Sequence, residues 1–379
     1  MAVATGKRRR RSASAGVPTP IVQEPVRGQF PDPRLWMLTG PDQRRAGLAG
    51  RWPKPPVTHL TGMEFSRAND DGVTWEQPIS PWFLTSEGVV PGGFLAALTD
   101  AALSGAIAFR LPPRTAYATS ELAIDFLQAV TLESGTLVAH GRQVHANQRL
   151  ALSECTVWDA TGAPVIHATS RCMLEPAPAA PEGAWDLDAP GAVDAFIDSL
   201  PLTQEPAYAT PDPYRRPNVG EVLPPSTWKR LTGRVILDQQ IAGKLPMPPI
   251  HYLTGMRPTA TASGQATFAM PASGWLSSGS GSIQGGFLAM LAYSSLASAI
   301  QTTVDTHTGH VPINLRVNFL RPVFPDPDGG ELIAHGMVVH RGRSLALAEA
   351  EILDADGRPV AVASGTQMLL PGRPASSFV

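Results

Sequence analysis

Asp100 lies in the middle of an otherwise apolar helical stretch, between Leu98-Thr99 and Ala101-Ala102-Leu103. An unpaired carboxylate is costly to bury, and Asp is a poor residue for a helix interior. On an exposed helix face Glu or Lys would be the usual choice. Asp100 is therefore either a solvent-facing acid or a functional one, a general base or a nucleophile toward an acyl carbon. Gly92-Gly93 opens the same stretch. Backbone N–H groups at a helix start, helped by the helix dipole, can stabilise an oxygen that becomes anionic. Glycine there lets a carbonyl approach the backbone closely. The plain alternative is that paired glycines only permit a tight turn from strand to helix.

The constellation occurs twice, because the chain repeats itself. PPVTHLTGM begins at Pro55 and PPIHYLTGM at Pro248, 193 residues on. The same spacing carries Gly92-Gly93 onto Gly285-Gly286, Trp82 onto Trp275 and Phe126 onto Phe319. Beyond a small insertion the spacing becomes 195, and LVAHG pairs with LIAHG, QRLALSE with RSLALAE. The copies differ where the chemistry lies. Tyr293 stands in place of Asp100, and a phenol with a pKa near ~10 is a poor base at neutral pH.

The elements that must position these residues read alike in both copies. GMEFSRANDDGVTWEQPIS breaks at Asn69-Asp70-Asp71-Gly72, a hairpin turn between two strands. One apolar helix follows, with small residues Ala96, Ala97, Ala101 and Gly105 that let a sheet wrap closely around it. Further strands come in succession: ATSELAIDFLQAV, GTLVAHGRQVHA, LALSECTVWDA and PVIHATSRCML. The predicted fold class is α+β, each copy a long helix wrapped by an antiparallel sheet of five to six strands. The expected divisions are an N-terminal extension, 1–37, domains at 38–177 and 231–372, a linker at 178–230, and a tail at 373–379. The linker carries one helix-like stretch, GAVDAFIDSL.

Composition narrows the classes further. Of 379 residues, 43% are apolar, enough for two sizeable cores, and the net charge of −2 gives no pull toward nucleic acid or anionic membrane. No apolar run is long enough to span a bilayer. Two cysteines, Cys155 and Cys172, suit a reducing compartment, and a cytoplasmic protein is expected. KRRRR at Lys7–Arg11 is read as a solvated tail, with a polyanion-binding tail the alternative; residues to about Pro25 are expected to be dispensable. No histidine pair has zinc-ligand spacing, so neither metal nor cofactor is expected.

The ordered set resembles the hotdog-fold thioesterases, in the phenylacetyl-CoA thioesterase-like (PaaI) branch of the 4-hydroxybenzoyl-CoA thioesterase superfamily. The residues that carry the resemblance are the Gly-Gly pair and the acid at Asp100, seven positions after Gly93. With them go Phe319-Leu320-Arg321-Pro322 and His340-Arg341-Gly342-Arg343. The tandem arrangement resembles double-hotdog acyl-CoA thioesterases of the TesB type. The resemblance spans 46–176 and 241–371.

It implies hydrolysis of acyl-CoA to acid and CoA at one active site between the halves. Asp100 and Thr119 of the first copy would act against Gly285 and Gly286 of the second. Gln284 would add a donor to the thioester oxygen, where Pro91 of the other turn has none. Thr119, with Ser120 beside it, would orient the water, and the matching position of the second copy is Pro312. Gly92, Gly93, Ser120, Arg341, Arg343 and Gln367 are the further candidates for substrate contact, with Arg149 a third arginine for CoA phosphates. The partner is acyl-CoA or an acyl-carrier protein, without nucleic acid or membrane, and assembly of double-hotdog units into a homo-oligomer is left open. Two other readings are a non-catalytic acyl-CoA-binding module and a hotdog hydratase or dehydratase. The latter needs a histidine paired with an acid on the helix and following turn, and the helix has no histidine.

Overall fold

The computed structural model describes residues 19–177, 187 and 189–373. The first copy forms β1 (Glu64–Asn69), β2 (Gly72–Pro78), the first central helix (Gly92–Ala108), β3 (Thr115–Phe126), β4 (Thr136–Ala146), β5 (Leu150–Trp158) and β6 (Pro164–Pro176). The second repeats the order: β7 (Arg257–Ala262), β8 (Gln265–Pro271), the second central helix (Gly285–Gln301), β9 (Thr308–Phe319), β10 (Glu331–Arg341), β11 (Leu345–Leu353) and β12 (Pro359–Pro371). Burial alternates along β5, one side chain to the core and the next toward solvent, as a strand with one buried face requires. The central helices are buried nearly all round, which explains their lack of a polar stripe.

The twelve strands form one sheet in the order β1-β2-β4-β5-β6-β3-β9-β12-β11-β10-β8-β7. The halves meet at β3 and β9, and the register there is its own mirror across the repeat. Ala123 pairs with Arg316, its own counterpart, while Glu121–Asn318 and Asp125–Asn314 exchange roles on either side. Arg316 clasps the seam, donating to the Ile124 carbonyl at 2.7 Å and to Asp125 Oδ1 at 2.7 Å. Between the helices, Phe94 meets its counterpart Phe287 edge to face, ring centroids 6.3 Å apart. Both helices belong to one continuous apolar core.

The arms before each domain are exchanged. Trp82 of the first half donates its indole N–H to the Arg216 carbonyl, and Trp275 of the second donates to the Glu24 carbonyl, both at 2.9 Å. Ser80 and Ser273 likewise donate to the carbonyls of Tyr214 and Val22. Ile21 and Val22 are buried in the main core. Residues from about 20 therefore belong to the folded unit, which moves the boundary of the dispensable tail back from Pro25 toward Pro18. The KRRRR tail lies outside the described residues. The linker stretch forms a helix, Ala192–Ser199, whose Phe196 and Ile197 pack on Leu35 and Leu38. Among the described residues no helix is long and apolar enough to cross a membrane.

Candidate active site

The close crossing of the two central helices brings Asp100 to the start of the opposite helix. Gly286 N–H donates to Asp100 Oδ2 at 3.2 Å, and Asp100 Oδ1 is buried with no hydrogen-bond partner. Asp100 is 4% exposed. Burial pushes its carboxyl up to about 6, and the Gly286 N–H opposes that rise only in part. An acid in this range is ionised near neutral pH yet still basic enough to take a proton, as a general base requires.

The glycines are required by the packing of one central helix on the other, not only by the turn from strand to helix. A Cβ on Gly286 would stand 2.3 Å from Ala97 Cα, and one on Gly93 2.9 Å from Met290 Cα. The helices approach so closely that only glycine fits, and the same approach sets a helix N-terminus against Asp100. Gln284 is used differently from the expected free donor. Its Nε2 donates to the Ala97 carbonyl at 2.8 Å, tying the turn to the facing helix, while its Oε1 is buried and unpartnered.

Thr119 reaches the same corner through the strand that follows. A bulge between Thr119 and Glu121 breaks the pairing of β3 with β6. Thr119 Oγ1 lies 3.7 Å from Cys172 Sγ. Burial first, and then the nearby Asp100 charge, push the Cys172 thiol up to about 11, so it stays protonated. Burial raises the Tyr117 phenol, and the Asp100 charge adds to that rise. Ser120 turns away, its hydroxyl donating to the Arg171 carbonyl.

The remaining candidates fall at the other half-site. Gly93 faces Tyr293, and Gly92 faces Phe126. Gln367 contacts His310 through its Oε1, and neither is next to Asp100. Arg341 and Arg343 sit at the β10–β11 turn, exposed, where Ala346 pairs with Gln367. Their equivalent beside Asp100 is the β4–β5 turn with Arg149, where Ala151 pairs with Cys172. The duplication allows either assignment from sequence; strand pairing decides between them. Tyr117, Cys172 and His310 were not candidates in the sequence. His310 matches Tyr117 in the first copy, so the repeat gave no signal for a histidine there. Among the described residues no group of three His, Cys, Asp or Glu side chains is arranged to hold a metal ion.

A model of the thioesterase superfamily matches residues 87–166 and 281–361, one match in each half. No curated protein sequence matches the chain significantly. Among solved structures, the tesB protein of Mycobacterium avium subspecies paratuberculosis is 11% identical, with a TM-score of 0.50 over 83% of this chain and 98% of its own. Acyl-CoA thioesterase II TesB2 of Mycobacterium marinum is 12% identical, with a TM-score of 0.47 over 83% of this chain and 97% of its own. A hot dog fold protein of Alicyclobacillus acidocaldarius is 14% identical, with a TM-score of 0.47 over 81% and 96%. The first of these supports the tandem hotdog fold. The thioesterase superfamily domain is matched once in each half of that fold, and the match supports a thioester hydrolase.

Proposed function

We propose that the protein is an acyl-CoA thioesterase that hydrolyses its substrate at Asp100. The observation that carries this reading is the buried Asp100 carboxylate, raised to about 6, held by Gly286 N–H at a helix start. The thioester carbonyl oxygen lies at that helix start, where the N–H groups and the dipole take up its developing charge. Asp100 either removes a proton from a water that attacks the carbonyl carbon or attacks it directly. Collapse of the tetrahedral species breaks the carbon–sulfur bond, and the thiolate leaves as CoA after protonation. In the water-attack route that proton comes back from Asp100. In the direct route solvent protonates the thiolate, and water then hydrolyses the mixed anhydride left on Asp100 to release the acid and restore the carboxylate. Thr119 orients the water from the bulge of β3, and Gln284 fixes the turn on which the donors lie. Arg149 at the β4–β5 turn suits the CoA phosphates. A cytoplasmic location accords with two free thiols.

Thiol release across short, long and aromatic acyl-CoAs tests the reading. Wild type should turn over at least one class, and Asp100→Asn should lose about 10²–10⁴ in turnover. Normal turnover by Asp100→Asn would refute the site. Binding without turnover in wild type would make the protein an acyl-CoA-binding module.

A further inference from the structure

A cavity lies away from Asp100, at the half-site that has no acid. It holds about 360 Å³ and is lined by Gly92, Tyr293, His251 and His310 at polar positions. Its apolar wall includes Leu237, Ile250 and Phe268. Leu127, 52% exposed, also lines it, so the cavity reaches the surface. Its size falls in the range of small-molecule sites, ~300–1,000 Å³, and its lining has their character of apolar walls with a few polar groups.

Two polar side chains there are unsatisfied. His251 Nδ1 is buried without a partner, and burial pushes the imidazole down to about 4, so it is neutral. Gln367, 1% exposed, contacts the lining His310 through its Oε1 and leaves its Nε2 unpartnered. Buried polar groups without partners are uncommon, and a ligand is one way to satisfy them. Burial holds the Tyr293 phenol neutral, so its hydroxyl keeps a proton for donation. Arg343 stands in the β10–β11 turn, two strands from His310 and about 10 Å away at the usual strand spacing, and Arg341 ends β10, one strand farther. Among the described residues neither forms an ion pair.

We propose that this cavity is a second acyl-CoA site that binds the thioester without cleaving it. The acyl chain lies along Leu237, Ile250 and Phe268, the carbonyl oxygen accepts from the Tyr293 hydroxyl, and the CoA phosphates meet Arg341 and Arg343. Tyr293 supplies no carboxylate at the carbonyl carbon, so the ligand is held intact. The ligand class rests on the acyl-CoA reading above; the count of sites does not rest on Asp100.

The test is equilibrium titration with the non-hydrolysable thioether analogue of a long-chain acyl-CoA. Wild type and Asp100→Asn should each bind two equivalents per chain. Ala297→Phe, which fills the cavity from the second central helix, should bind one. The surface variant Arg341→Ala/Arg343→Ala should keep two sites and weaken one of them about tenfold. One equivalent in wild type, or two unaltered sites in both variants, overturns the proposal. One equivalent with normal turnover would leave the Asp100 reading standing, whereas two equivalents with no turnover would remove that reading and keep this one.

Discussion

Replacing Asp100 by Asn should inactivate the protein and stabilise it at the same time, and the pH dependence of the gain is fixed in advance. The carboxyl rises from the usual 3.8 to about 6 on folding. Between those values the folded state binds more protons than the unfolded one, so stability falls as pH rises through that window. Above pH 6 the penalty is complete, about 3 kcal/mol for a shift of roughly two units. Below pH 4 it vanishes. Asn keeps an acceptor for Gly286 N–H but puts an amide N–H₂ where Oδ1 already lacks a partner, at a cost of about 1 kcal/mol. The net expectation is a variant about 2 kcal/mol more stable than wild type at pH 8, and level with it or slightly weaker near pH 4.5. Paired denaturant titrations at the two pH values measure this difference directly. A difference that does not change with pH would mean that Asp100 is solvated. A variant less stable than wild type at pH 8 would mean that the carboxylate is paired in a way the geometry does not show.

Three other expectations follow from the packing. Deleting residues 1–18 should leave turnover unchanged, whereas deletion through Pro25 removes the Val22 and Glu24 carbonyls from Ser273 and Trp275 and should lower the melting temperature by several degrees. Expressed alone, residues 46–178 should aggregate or stay unfolded, because β3 loses β9 and Trp82 loses the Arg216 carbonyl; a soluble, cooperatively melting monomer would contradict this. Gly93→Ala forces a methyl within 2.9 Å of Met290 Cα and should cost about 1–3 kcal/mol in a denaturant titration, with turnover per folded molecule altered far less than by Asp100→Asn.

The sequence is most legible where an element contradicts its surroundings. Asp100 stands out because no local rule favours an acid in an apolar helix, and the Gly-Gly pair stands out because the repeat doubles it. The strands and the helix they wrap are legible from the patterns once the duplication is seen, but the crossover that sets β3 beside β9 is not. The exchanged arms are not legible in the same way. Residues 20–28 and 212–220 share little beyond proline, glycine and spacing, and what they do is donate backbone carbonyls to a tryptophan and a serine of the other half. Backbone acceptors leave no trace in residue type. Gln367 was visible as a candidate, but its place was not, since either half-site is compatible with the spacing until β12 is paired with β9. His310 carries no periodic or repeated signal at all.

The divergence of the two half-sites has a physical rationale in the same burial that activates Asp100. A symmetric duplicate would bury two carboxylates near the centre of one core, each carrying a penalty of about 3 kcal/mol at neutral pH. That sum is a large part of the net stability of an ordinary domain. Tyr293 removes one of these penalties. It is buried and neutral, and it packs against Gly93 as Asp100 packs against Gly286. The crossing of the helices is preserved, and the charge is lost. Thr119 and its counterpart Pro312 fit the same account, because a water-orienting hydroxyl has no use beside a phenol. The acid was kept where a glycine turn, a hydroxyl and a protonated thiol surround it, and is absent beside the cavity that Tyr293 lines. A half-site without the acid but with a cavity beside it is therefore suited to hold a thioester and not to cut it.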